Sequence, residues 1–289
     1  MDKGITECVQ VQIEGAFQVP DTCATRRLSH AQNNQVPGTC YRGLLAFEEK
    51  TTYTRAITFV YGGADVDQQT TESYAVLWDM DGVLVDSAAL HRRAWRVFLT
   101  QKGLTLTDEI FERGFGQPNE QVLPGYFPDL TEIEIHRLSA EKEACYRKLV
   151  RQEGIYPIPG VLTWMDHFSR ARIRQVLATS GCRANANMIA DLTGARTYLT
   201  TIIAAEDVSR GKPHPDVFVR AAEQVSVPAK RCLVIEDSLH GIRAARTANM
   251  RCLALETTHS AAELGEADLV LQDMGHFSWE TWHKLMGGS

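Results

Sequence analysis

Apolar positions change their period along this chain. From Tyr74 onward, short unbroken apolar runs alternate with amphipathic stretches. "YAVLW", "IRQVLAT", "TTIIAAE", "RCLVIED", "RCLALE" and "ADLVLQ" read as strands, with "CRANANMIADL", "HPDVFVRAAEQV" and "SLHGIRAARTA" as helices between them. Continuous apolar runs belong to strands buried on both faces, and intervening helices belong to crossovers. The pattern therefore predicts an α/β fold, a parallel sheet covered by helices on both sides. The interval between the first and second strands, 87–174, is too long for one crossover and is itself helical in pattern: "SAALHRRAWRVFLTQKG", "TDEIFERGF", "TEIEIHRLSAEKEACYRKLVRQEG". A helical subdomain inserted after the first strand is expected, with Pro159 opening the return to the sheet.

Residues 1–72 have another texture, rich in Gln, Asn, Thr and Gly with no sustained period. They are expected to form an N-terminal extension that is disordered or loosely packed. The exception is "TTYTRAITFVYGG", Thr51 to Gly63, whose β-branched and aromatic residues predict a strand or hairpin. The expected organisation is thus an extension over 1–72, a sheet domain over 74–86 and 160–289, and a helical insertion over 87–159.

Composition narrows the partners. The 289 residues are 44% hydrophobic and 23% charged with a formal charge of −6, a globular composition without the basic face that nucleic acid requires. No apolar run reaches 18 residues, so no membrane partner is expected either. The seven cysteines are scattered without a CxxC pair, which reads as reduced thiols in a cytoplasmic protein, not as a disulfide framework or zinc site. A small molecule is the expected partner.

The chemistry sits where strands end. "WDMDGVLVDS" places Asp79 and Asp81 at the carboxyl end of the first strand, where open α/β sheets bind ligands. Two adjacent acids repel unless a cation or a proton lies between them. The structural alternative is a loop cap at Asp79 and a turn at Asp81-Gly82, and Asp86 reads as a helix N-cap. After "IRQVLA", Thr179, Ser180 and Gly181 precede a helix and suit a phosphate oxygen. Lys212, in "RGKPHPDVF", can carry a point charge to the same place. Glu236 and Asp237, in "RCLVIEDS", form a second acid-tipped strand, which makes a site for a divalent, oxygen-loving metal the better reading.

In order, "DMDGVLVDS", "LATSG", "GKPHPDVF" and "VIEDSLHGI" resemble the four motifs of the haloacid dehalogenase-like superfamily, in the branch of β-phosphoglucomutases and small phosphatases. The resemblance spans Tyr74 to Leu271 and implies a Rossmann-like doubly wound parallel sheet with an inserted α-helical cap. It implies Asp79 as the nucleophile that forms an aspartyl-phosphate, and Asp81 as the acid/base. Thr179 and Ser180 would hold the phosphoryl group, and Lys212 would pair with both nucleophile and phosphate. Mg²⁺ is implied as cofactor, on Glu236, Asp237, the Asp79 carboxylate and the Asp81 backbone carbonyl. An acid at position 81 points to phosphate chemistry and away from dehalogenation.

Substrate choice belongs to the cap, where His91, Asn119 and Lys142 are the candidates. His91 and Lys142 lie where β-phosphoglucomutases carry a histidine linked to the acid/base and a lysine near phosphate. The alternatives are a surface or satisfied histidine and a solvated lysine between Glu141 and Glu143. A mutase also needs a cap arginine for its second phosphate; "GFGQPNE" has Asn119 there, and Arg113 does not fall at that position. The expected function is a Mg²⁺-dependent phosphatase of a small phosphorylated metabolite, a sugar phosphate for example. A mutase is the runner-up, and a non-catalytic phosphate-binding protein comes third.

Overall fold

The computed structural model describes residues 73–107, 111 and 118–287, together with two strands nearer the N-terminus, β1 (Tyr41–Phe47) and β2 (Arg55–Tyr61). The chain divides into two units, 1–69 and 70–289. In the first, β1 and β2 pair antiparallel with Tyr41 opposite Tyr61 and Phe47 opposite Arg55. β2 falls inside the stretch expected to be extended; its partner β1, "YRGLLAF", lies in a region read as lacking strand period. The rest of 1–72, with the expectation of disorder, lies outside the described residues, as do Arg113 and most of "TDEIFERGF".

The second unit is the α/β fold. Six strands, β3 (Ala75–Trp78), β4 (Arg174–Ala178), β5 (Thr201–Ile203), β6 (Cys232–Glu236), β7 (Arg251–Leu255) and β8 (Leu269–Leu271), form one sheet in the order β5-β4-β3-β6-β7-β8. Every neighbouring pair is parallel. The chain winds outward from β3 in one direction and from β6 in the other, so the order reverses between these two strands. The crevice at their carboxyl ends is where such a sheet binds ligands.

Alternation along the strands sorts side chains to two cores. Val76, Trp78, Leu233 and Ile235 face a layer that includes α4 (Val161–Arg170), α5 (Arg183–Thr193) and α8 (Trp279–Met286). Ala75, Leu77, Val176 and Val234 face α6 (Asp216–Gln224) and α7 (Leu239–Thr247). Trp78 is fully buried, its indole N–H donating to Gln175 at 3.1 Å, so it belongs to the core and not to a pocket wall.

Between β3 and β4 come the helices of the insertion, α1 (Ala88–Gln101), the short α2 (Asn119–Val122) and α3 (Glu132–Glu153). They share a separate apolar cluster, Trp95, Phe98, Leu99, Phe111, Leu123 and Leu138. α3 begins at a capping box: Thr131 Oγ1 accepts from the Glu134 N–H at 3.3 Å and the Glu134 carboxylate accepts from the Thr131 N–H at 2.9 Å. The N-cap of α1 is Ser87, not Asp86 as read from sequence. The exposed Asp86 carboxylate accepts a 3.4 Å bond from the Ala88 N–H, and the Ser87 hydroxyl turns inward instead. Among the described residues no helix is long and apolar enough to cross a membrane.

Candidate active site

The carboxyl ends of β3, β4 and β6 converge as the strand order requires. Asp79 and Asp237 are buried, 6% and 4% exposed, and the carboxylates of Asp79, Glu236 and Asp237 offer oxygens within 4.8 Å of one another. Lys212, on the loop before α6, reaches into this group; its Nζ donates to Asp79 Oδ1 at 2.5 Å and to Glu236 Oε1 at 2.6 Å. An ammonium between two buried carboxylates removes part of their repulsion.

Glu236 is the most committed of the three. Beyond its bond to Lys212, its Oε2 accepts from the backbone N–H groups of Asp237 and Ser238, both at 2.8 Å, and from Ser238 Oγ at 2.9 Å. Burial pushes its carboxyl up, but Lys212 and these backbone donors outweigh burial and hold it below the ordinary range. Asp237 has less support: burial, with the charges of Glu236 and Asp79, drives it well above its ordinary value. Asp79 is pushed up to about 7 by burial first, then by Glu236 and Asp81, in spite of Lys212. Two buried carboxyls that resist ionisation beside a third that is ionised form a hard-oxygen donor set short of positive charge. A divalent cation fits it.

Glycines let the strand-end loops come this close. A Cβ on Gly82, whose φ is +82°, would lie 1.8 Å from Asp237 Oδ2, and one on Gly241 would lie 1.7 Å from Glu236 Oε1. The β4 loop closes the other side: a Cβ on Gly181 would stand 3.2 Å from Thr179 Oγ1 and 3.8 Å from Asp81 Oδ2. Thr179 is buried, its Oγ1 accepting from the Gly181 N–H at 2.9 Å, and Ser180 is half-buried beside it. Asp79, Asp81, Thr179, Ser180, Lys212, Glu236 and Asp237 therefore share one crevice.

This crevice belongs to a known lineage. A family model described as haloacid dehalogenase-like hydrolase matches residues 76–255. The chain is a haloacid dehalogenase-like hydrolase. Validoxylamine A 7'-phosphate phosphatase of Streptomyces hygroscopicus subsp. limoneus is 30% identical to it over 203 residues, 70% of this chain and 95% of that protein. Fructose-1-phosphate phosphatase YqaB of Escherichia coli is 30% identical over 184 residues, 62% of this chain and 95% of that protein. Among solved structures, a hydrolase of the same family from Entamoeba histolytica superposes with a TM-score of 0.70 at 22% identity, covering 74% of this chain and all of that one, a likeness of fold.

Two helices of the insertion gather around Asp81. His91, on α1, places Nε2 3.5 Å from Asp81 Oδ1, and Ser87 Oγ donates to the same oxygen. Burial pushes Asp81 up, but these two contacts outweigh it and hold the carboxyl below its ordinary value. Lys142 is 2% exposed, which overturns its reading as a solvated helix face; its Nζ lies 2.9 Å from His91 Nδ1 and 2.8 Å from Glu143 Oε1. Asn119 bonds to none of the strand-end acids, donating instead to Ser139 Oγ at 3.0 Å and to Glu143 Oε1 at 2.8 Å.

The sequence reading missed four contributors. Ser87 reads in sequence only as part of a helix start. Thr257 and Thr258 follow β7, Thr257 donating to the Gly82 carbonyl at 2.5 Å and Thr258 to Asp237; hydroxyls at one more strand end were the available signal. Glu143 was read only as a neighbour of Lys142. The spacing Leu138, Lys142, Tyr146, Val150 is one i, i+4 row, and all four are buried, so the lysine's place on an apolar stripe was visible.

Proposed function

We propose that this chain is a Mg²⁺-dependent phosphatase of a small phosphorylated metabolite rich in hydroxyls, a sugar phosphate for example, and that it works through an aspartyl-phosphate on Asp79. The observation that carries this reading is the Lys212 ammonium held between Asp79 and Glu236 where the sheet's order reverses. Such a group offsets negative charge where a phosphate must meet a carboxylate. The relatives' names, which specify phosphatases of validoxylamine A 7'-phosphate and of fructose 1-phosphate, support the substrate class.

In this mechanism Asp79 attacks phosphorus while Asp81, which must first take up a proton because its contacts favour the ionised form, protonates the leaving oxygen; Asp81 then takes a proton from water as that water cleaves the aspartyl-phosphate. Thr179 and Ser180 hold the phosphoryl oxygens, and Lys212 favours the ionised nucleophile against the burial that opposes it. Asp79, Asp237 and the Asp81 backbone carbonyl would hold Mg²⁺, which would supply the positive charge that lets a dianionic group enter. Glu236 serves this set by orienting Lys212. The helical insertion over 87–159 acts as the cap that shields the crevice from bulk water. A cytoplasmic setting completes the reading, which the free thiols Cys145, Cys182, Cys232 and Cys252 suit.

Asn119 separates phosphatase from mutase. Its amide is engaged with Ser139 and Glu143, and it brings no positive charge for a second phosphate. The test is release of inorganic phosphate from sugar phosphates, phosphoglycolate, nucleotides and an aryl phosphate, with Mg²⁺ or EDTA, beside Asp79→Asn. Mg²⁺-dependent release that the variant abolishes is the expected result. Conversion of β-glucose 1-phosphate to glucose 6-phosphate with a bisphosphate primer, without net release, would establish the mutase instead. Silence in both assays would leave a phosphate-binding protein.

A further inference from the structure

Glu143 joins elements that the side chains named in the phosphatase reading leave apart. Its side chain is 12% exposed, and it is the carboxylate paired with the buried Lys142. Oε1 accepts from Lys142 and from Asn119, at the start of α2, both at 2.8 Å. Oε2 accepts from Nδ2 of Asn185, on α5. Asn185 is itself buried, and its Oδ1 accepts at 2.9 Å from Arg147, one turn beyond Glu143 on α3. α5 is the helix that follows the Thr179–Gly181 loop. One carboxylate thus ties α2 and α3 of the insertion to the element that begins at the phosphate loop.

The consequence reaches Asp81 through two atoms. An ammonium can only donate, so His91 Nδ1 accepts from Lys142 and the ring proton sits on Nε2, the atom that faces Asp81. Lys142 keeps this orientation only while a counter-charge holds it in a buried place, because an unpaired buried ammonium is strongly disfavoured. Glu143 supplies that charge and, through Asn185, anchors it to the sheet domain.

We propose that Glu143 is a positioning residue for the acid/base. By fixing Lys142 and docking α3 on α5 it aims His91, and through His91 the Asp81 carboxyl, at the leaving oxygen. The proposal rests on the phosphatase reading. In the first half-reaction the bond from Asp79 oxygen to phosphorus forms, the bond from phosphorus to the leaving oxygen breaks, and the Asp81 proton passes to that oxygen. An alkyl leaving group needs this proton, whereas a nitrophenolate departs with its electron pair unprotonated.

Rapid-mixing kinetics separate this role from a merely structural one. Phosphoenzyme formation is followed with p-nitrophenyl phosphate and with the best sugar phosphate of the panel above, in wild type, Glu143→Gln and Asn185→Ala. Glu143→Gln is expected to slow the sugar phosphate about tenfold or more and the aryl burst by less than about threefold. Asn185→Ala, which keeps the Lys142–Glu143 pair, is expected to act in the same sense with smaller size, and it carries the test alone should Glu143→Gln fail to fold. Equal slowing of both substrates, or slowing of neither, overturns the proposal while leaving the phosphatase reading intact. A wild type that forms phosphoenzyme from neither substrate overturns both.

Discussion

His91 and Tyr146 stack face to face, ring centroids 3.8 Å apart and planes 3° from parallel. The imidazole contacts Lys142 and Asp81 through its two nitrogens, and Tyr146, fully buried on the next turn of α3, holds its plane. The aromatic face does this work, since the phenol hydroxyl has no hydrogen-bond partner and the neighbouring Ser87 hydroxyl donates its hydrogen bond to Asp81.

Tyr146→Phe is therefore expected to retain activity and to leave stability unchanged or raise it by about 1 kcal/mol, because a buried hydroxyl without a partner is removed. Tyr146→Ala, which removes the ring, should cost about 3 kcal/mol and most of the turnover. Chemical denaturation and steady-state rates on both variants check the contrast.

Asp237 is destabilising in the metal-free protein, since burial, Glu236 and Asp79 all oppose the ionisation it keeps in the unfolded chain. Asp237→Asn should raise the unfolding free energy in EDTA by about 2 kcal/mol near neutral pH. Mg²⁺ should raise the Tm of wild type and leave that of Asp237→Asn almost unmoved. Differential scanning calorimetry with and without Mg²⁺ reads both effects; an Asp237→Asn protein stabilised as strongly by Mg²⁺ as wild type would count against the assigned ligand.

Gly241 leaves room for Glu236, whose Oε1 lies where a Cβ would fall. Gly241→Ala must displace a carboxylate bonded to Lys212, Asp237 and Ser238, so a loss of about 2 kcal/mol or more is expected, with activity falling alongside. Gly103→Ala, where a Cβ would meet nothing within 4 Å but φ is +75°, provides a strain-only comparison by thermal melting.

Acid should loosen the insertion at Glu143. Burial pushes its carboxyl up, but Lys142, His91 and Asn119 outweigh burial and hold it at about 2 against an ordinary 4.5. The folded state thus binds this proton more weakly than the unfolded chain does. The stabilisation is complete above about pH 4.5 and is lost as pH falls toward 2, in total about 3 kcal/mol. Urea unfolding of wild type and Glu143→Gln between pH 6 and 3 measures it; the difference between them should shrink steadily as acid is added.

Much of this was legible in one dimension. Asp79, Thr179, Lys212 and Asp237 announce themselves because each follows or faces the carboxyl end of an apolar run, and a parallel sheet brings such ends together whatever the loops between them do. Lys142 stood out only through the family resemblance, and Glu143 not at all, because neighbours on a helix point in different directions and a lysine beside two glutamates has the appearance of a wet face. Its burial depended on Trp95 and Tyr146 closing around it, with ring contacts at 5.2 and 6.0 Å. Asp86 reads as the N-cap for a related reason: an adjacent acid and hydroxyl both suit a helix start, and the bond from the Ser87 hydroxyl to Asp81 exists only in the folded chain.

The amino-acid sequence by itself determined the parallel α/β fold, the family and the chemistry of the crevice, because periodicity and short motifs encode strand ends locally. Only the tertiary structure decided which polar groups of the insertion are buried against one another. A charge on a helix becomes a functional contact or a solvated one according to what packs on it, and the partners of Glu143, at Asn119 and Asn185, come from elements 24 and 42 residues away.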